Sequence, residues 1–118
     1  MAERESRRLE TPDGRYFVSR GRLWRQSDPR LGASQRRAGI KKLMQARMAD
    51  RRASDEEERA AAREAIEAAK RALGERGPVW WTDGAPDETG LHPGRSRYAD
   101  WWRSLDPETR EAAERGKR

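Results

Sequence analysis

The segment Ser54–Gly74, SDEEERAAAREAIEAAKRALG, constrains this chain more than any other. It opens with Ser54 as a candidate N-cap and Glu57 three positions later, the form of a capping box, with further acid in the first turn to suit the helix dipole. It closes on Gly74, a residue that stops helices. Between these signals Ala62, Ala65, Ile66, Ala69, Ala72 and Leu73 recur at helical spacing, and nearly all are small. A small-residue face lets a second helix come close, so the segment predicts a tightly packed helical partner.

The partner is the segment of about Gln35–Ala53, with Ser34 as N-cap. Ile40, Leu43, Met44 and Met48 fall on one helical face and are the expected contact stripe, while Gly39 weakens the helix. Arg47 and Arg51 share that face with Met44 and Met48, which calls for snorkelling or acidic partners. A short polar connection makes the two helices antiparallel neighbours. Arg47, Arg51 and Arg52 then lie beside the acidic start Asp55–Glu58, where each exposed pair is worth about 0–1 kcal/mol.

The flanks read differently. Residues 1–10 are polar and charged and predict a flexible arm. After the turn signal TPDG, the run RYFVSRGRLWRQ predicts a β-hairpin around Gly21, with Tyr16 and Val18 on one face and Phe17 on the other. Two strands alone are marginal in water, so this hairpin must pack on something. Clustered Gly and Pro over residues 77–94 forbid a long helix. Then SRYADWWRSL predicts a short helix, and DPETREAAERGKR a charged, fraying last helix over 106–118 with Asp106 as N-cap and Pro107 at its first position. The expected fold is mainly α, a small α+β arrangement, with one small domain over residues 11–105.

Composition removes several chemistries. The chain has no Cys and one His, so disulfides, thiolate nucleophiles and multi-histidine metal sites are excluded. No phosphate-binding loop, dinucleotide fingerprint, nucleophile elbow or cofactor motif occurs, and no small-molecule substrate is indicated. The start MAERESRRLE lacks the apolar core of a signal peptide and no run is apolar enough to cross a bilayer, so a cytoplasmic protein is the expectation. The net charge of +6 is uneven: residues 1–54 carry 15 Lys/Arg against 6 Asp/Glu, and residues 55–118 carry 12 against 15. A basic half suits phosphate, and Arg20, Arg22, Arg25, Arg36, Arg37, Lys41 and Lys42 are the candidate contacts. Arg outnumbers Lys 23 to 4, however, which is also what GC-rich coding produces.

The other candidate surface is GERGPVWWTDGAPDETG, Gly74–Gly90. An extended backbone after Pro78 would send Trp80 and Trp81 to opposite sides, Trp80 filling the shallow space over the Ala-rich helix together with Trp24, Trp101 and Trp102. Trp81, with Asp83 and Asp87, would form a recognition loop whose carboxylates favour a protein partner over nucleic acid. Asp83, Asp87 and Glu88 lack calcium-loop spacing and read as turn formers. Asp83, Asp87 and His92 offer an acid–base group only if the fold brings them together.

With RGRLWR, the charged helical pair, GERGPVWWTDGAPD and YADWW in order, the chain resembles a group of small bacterial proteins of unestablished function that share RGRLWR, GERGPxWWxDGAPD and a Tyr-Ala-x-Trp ending. The resemblance covers about residues 13–102, departs after Asp87, and implies a shared fold but no activity, substrate or cofactor. The expected function is therefore a non-enzymatic interaction module working through the Trp80–Asp87 loop. Phosphate binding by the basic half is the alternative, and an Asp/His enzyme a distant third.

Overall fold

A computed structural model of the protein describes residues 8–115. It is a small, mainly helical α+β fold, with four α-helices and a three-stranded antiparallel sheet among the described residues. The described residues fall into two compact units, the first of residues 8–26 and 84–115 and the second of Ser27–Asp83. Residues 1–7 of the predicted arm and 116–118 of the predicted last helix lie outside the described residues.

In the first unit the hairpin strands are Tyr16–Ser19 (β2) and Arg22–Arg25 (β3), joined by Arg20 and Gly21. Both turn residues have positive φ, 55° and 73°, as a two-residue turn of primed type requires to match the strand twist. A third strand, Leu9–Glu10 (β1), pairs with β2 inside what the sequence reads as a flexible arm. Register sorts the side chains: Tyr16 opposes Arg25 and Val18 opposes Leu23 on the buried face, while Phe17 opposes Trp24 on the other. The Arg8 guanidinium lies 3.8 Å from the Phe17 ring centroid and covers that outer face.

The returning chain closes the sheet's other edge. Gly90 N–H donates to the Leu23 carbonyl and Leu23 N–H donates to that of Leu91, each at 2.8 Å, so β3 is not left open. Two helices follow, Ala99–Ser104 (α3) and Pro107–Arg115 (α4), and Asp106 caps α4 by accepting from Thr109 N–H at 2.8 Å.

The second unit is a helical hairpin of Ala33–Arg52 (α1) and Glu56–Leu73 (α2), connected by residues 53–55. Asp55, one position after the expected Ser54, is the N-cap of α2 and accepts from Glu58 N–H at 2.8 Å. Ser54 donates instead to the Glu58 carboxylate through both its N–H and its hydroxyl. Gly74 ends α2 with φ of 86°, and Gly74 and Glu75 N–H return to carbonyls of the last turn. The N-cap of α1 is Gly32 rather than Ser34, and the Gln35 side chain accepts from Gly32 N–H at 2.9 Å.

The contact between the helices keeps Leu43 of the expected stripe and departs from it at the other three positions. α1 buries Gly39, Leu43 and Ala46, whereas Ile40, Met44 and Met48 are 44%, 60% and 41% exposed. The buried partners on α2 are Ala62, Ala69 and Leu73, with Leu31 and Ile66 packed at the edge of the core that Leu43, Ala69 and Leu73 form. The reason is close approach. A Cβ on Gly39 would stand 2.6 Å from Leu73 Cδ2, so only glycine lets Leu73 seat against the α1 backbone. The sequence marks Gly39 only as a weak point, while in the fold it is where Leu73 enters.

Candidate interaction surface

The Trp80–Asp87 loop spends much of its chemistry internally. The Trp80 and Trp81 rings do not separate to opposite sides but meet edge to face, with centroids 5.1 Å apart, because the backbone there is irregular rather than extended. Trp81, the ring expected at the surface, is the buried one, at 8% exposure, while Trp80, expected inside, is half-buried. Asp83 is exposed. Asp87 faces water in part, yet its Oδ2 accepts from Arg25 Nη2 at 3.0 Å and its Oδ1 accepts from the N–H and hydroxyl of Thr89. Burial works to raise the Asp87 carboxyl, but the Thr89 bonds and Arg25 outweigh it and hold the group below the ordinary carboxylate value.

Asp87 belongs to a clamp that fastens its segment to the sheet. Glu88 N–H donates to the Tyr16 hydroxyl at 2.8 Å, and the Tyr98 hydroxyl donates to Asp13 Oδ2 at 2.7 Å. The Tyr16 and Tyr98 rings meet edge to face, and Tyr98 and Trp101, Trp101 and Trp102, and Trp102 and His92 continue the aromatic cluster. Burial, reinforced by the hydrogen bond to Asp13, pushes the Tyr98 hydroxyl far above its ordinary value. Asp13 moves down: burial opposes this, but bonds from Tyr98, Thr11 and Arg15 N–H prevail. His92 accepts from Gly94 N–H at Nδ1, which places the proton of the neutral ring on Nε2, facing Glu114 Oε2 at 3.0 Å. Asp87 and His92 thus commit their polar atoms to different neighbours. Among the described residues no three His, Asp or Glu side chains group to hold a metal ion.

The seven candidate phosphate contacts also separate. Arg25 is buried, its side chain 3% exposed and ion-paired with Asp87. Arg36 donates to Ser27 Oγ and to the Asp28 carbonyl, tying the entry of α1 together. Arg22 is exposed but donates to the Gly90 carbonyl at 2.9 Å. Arg20 stands exposed on the hairpin turn. Arg37, Lys41 and Lys42 are exposed along α1.

What the sequence reading missed is the outer face of α1. Ile40, Met44 and Met48 step along it at intervals of four, so they form one continuous ridge about 12 Å long at 1.5 Å per residue. The same spacing places Arg37, Lys41, Arg47 and Arg51 around that ridge, all exposed. The expected pairing of Arg47, Arg51 and Arg52 with the acidic start of α2 is not what forms there. Among the described residues the ion pairs at this end of the hairpin are Arg63–Asp50 and Arg59–Glu56, while Glu58 turns to Ser54. Arg47, Arg51 and Arg52 thus form no ion pair with that acidic start among the described residues. The sequence did carry the signal: two arginines on the face of two methionines is a poor core stripe and a good framed surface.

Among the described residues no helix is long and apolar enough to cross a membrane. No protein-family model, no curated protein and no solved structure matches the chain.

Proposed function

We propose that this protein is a small non-enzymatic interaction module whose working surface is the outer face of α1. The observation that supports the reading is the exposed Ile40–Met44–Met48 ridge framed by Arg37, Lys41, Arg47 and Arg51. Three large apolar side chains at intervals of four suit packing against a partner helix, and Met adapts its shape to a partner's surface. The basic frame selects a partner that is apolar in the centre and acidic at its edges. The Trp80–Asp87 loop, the surface expected from sequence, serves in this reading as scaffold.

The test is a selection of displayed helical peptides on the full-length protein, with Met44→Asp as the counter-selecting variant. The expected winners carry apolar residues at i, i+4 and i+7 with acidic neighbours. If no peptide distinguishes wild type from Met44→Asp, the reading fails.

One observation favours a second reading. α1 carries seven Lys/Arg against one Asp, and Arg37, Lys41 and Lys42 are exposed, as contacts to a phosphate backbone would be. Fluorescence anisotropy of labelled duplex DNA, single-stranded DNA and RNA decides it, with heparin as competitor. Binding that survives near-physiological salt and prefers one nucleic acid to heparin would move the assignment to phosphate.

A further inference from the structure

The same hairpin carries a surface of opposite character. On α2, Ala61, Ala65, Ala68 and Ala72 are exposed and recur at helical spacing as a shallow valley about 16 Å long, beside exposed Glu57 and Glu64 over its first half and exposed Arg71 at its end. These alanines are not the ones that pack on α1, which are Ala62 and Ala69. The ridge on α1 is large, apolar and framed by four cations, whereas the valley on α2 is small, apolar and bordered by carboxylates toward the start of the helix. Ridge and valley thus complement each other in shape and, along the acidic first half of α2, in charge. They cannot meet within one chain, because α1 and α2 already face each other through Gly39, Leu43, Ala46, Ala62, Ala69 and Leu73.

We propose that the partner of the α1 ridge is a second copy of this chain, which receives the ridge in the alanine valley of its own α2. The proposal rests on the reading of α1 as a docking face and names its occupant. At 3.6 residues per turn, ridge and valley turn to opposite sides of the helical pair. The contact is therefore head-to-tail, between two different patches, rather than a two-fold pairing of like with like. Ridge against ridge would oppose four cations to four. An antiparallel crossing sets Arg51, near the end of α1, toward the acidic start of α2, in agreement with the helix dipoles. Two helices of this length bury less than the roughly 1,200 Å² of a stable interface, so the association is weak and concentration-dependent.

The experiment is sedimentation equilibrium of the full chain from about 10 μM to about 1 mM, the range in which such small interfaces associate. The proteins are wild type, Met44→Asp, Ala68→Arg and an equimolar mixture of the two variants. Both substitutions are on exposed helix positions, and far-UV circular dichroism and melting verify that each variant is folded. The average mass of wild type is expected to rise from the 13.6 kDa monomer as concentration increases. Each variant alone is expected to associate at least about tenfold more weakly. In the mixture, Met44→Asp still offers an intact valley and Ala68→Arg an intact ridge, so mass returns toward a dimer and stops there.

A wild type that stays monomeric overturns the proposal, as does association that Met44→Asp leaves unchanged. Two monomeric variants that do not complement each other overturn the head-to-tail geometry. These failures are distinct from failure of the docking face itself: a monomeric protein that still selects acidic-edged peptides through Met44 has the face but a different partner.

Discussion

Two substitutions one residue apart test the packing of the helical hairpin. Leu43 is 7% exposed and belongs to the core with Ala69 and Leu73, whereas its neighbour Met44 is 60% exposed. Leu43→Ala removes three buried carbons from a site whose partners include Ala69 and cannot reach across to refill the space. The cost is expected near about 3 kcal/mol, within the range for buried leucine truncations. Met44→Ala removes a side chain already mostly in water and gains slightly in helix propensity, so its effect is expected within about 0.5 kcal/mol. With a urea slope of about 1–3 kcal/mol per molar, Leu43→Ala lowers the midpoint by about 1–3 M and Met44→Ala by less than about 0.5 M. The assay is urea denaturation followed by circular dichroism at low micromolar protein, where association through Met44 does not contribute. Equal shifts, or a larger one for Met44→Ala, would refute the assignment and return α1 to the stripe expected from hydrophobicity alone.

Gly39→Ala sets a helix-propensity gain of about 1 kcal/mol against overpacking on Leu73, which costs about 1–3 kcal/mol, so a net loss is expected. A thermal melt showing the variant more stable than wild type would be the contrary result. Gly74→Ala forces a side chain into left-handed backbone with its Cβ 2.8 Å from that of Asp28, and a loss of about 1–2 kcal/mol is expected in the same melt. Asp87→Asn withdraws a carboxylate from buried Arg25; because Asp87 is partly exposed, the expected cost is about 1–2 kcal/mol rather than that of a fully buried pair, measured by urea titration.

The Asp13–Tyr98 bond couples stability to pH at both ends. The folded Asp13 carboxyl lies below its unfolded value, so its contribution is present above the ordinary carboxylate range, near pH 4, and is lost as pH falls through the folded value. The folded Tyr98 hydroxyl lies above its unfolded value, so its contribution is full below about pH 10 and is lost as pH rises toward the folded one. Tyr98→Phe is expected to weaken the alkaline limb of a stability-against-pH profile, where buried Tyr16 remains, and the acid limb, where Asp87 remains. An unchanged alkaline limb would show that Tyr98 does not carry it.

Some of this protein is determined locally and can be read from the chain itself. The length of α2, its acidic start and its glycine stop depend on neighbours within a few residues, and the Arg20–Gly21 turn sets the hairpin register in the same way. Even the misplaced cap shows this, since Ser54 and Asp55 are both good caps and only their geometry separates them. The short strand β1 was invisible because two residues carry no periodicity, and only the edge of β2 makes Leu9–Glu10 a strand. The site depended on tertiary contacts in the same sense. Arg25 reads as a surface cation until the fold brings Asp87, sixty-two residues away, within 3.0 Å. Ile40, Met44 and Met48 read as core because they are the larger apolar residues of α1. The fold keeps the expected Leu43 inside but joins it with Gly39 and Ala46, since Leu73 can seat on α1 only where a glycine leaves room. Hydrophobic periodicity tells which residues share a helix face, but which of two adjacent stripes is buried is decided by how closely the other helix can approach.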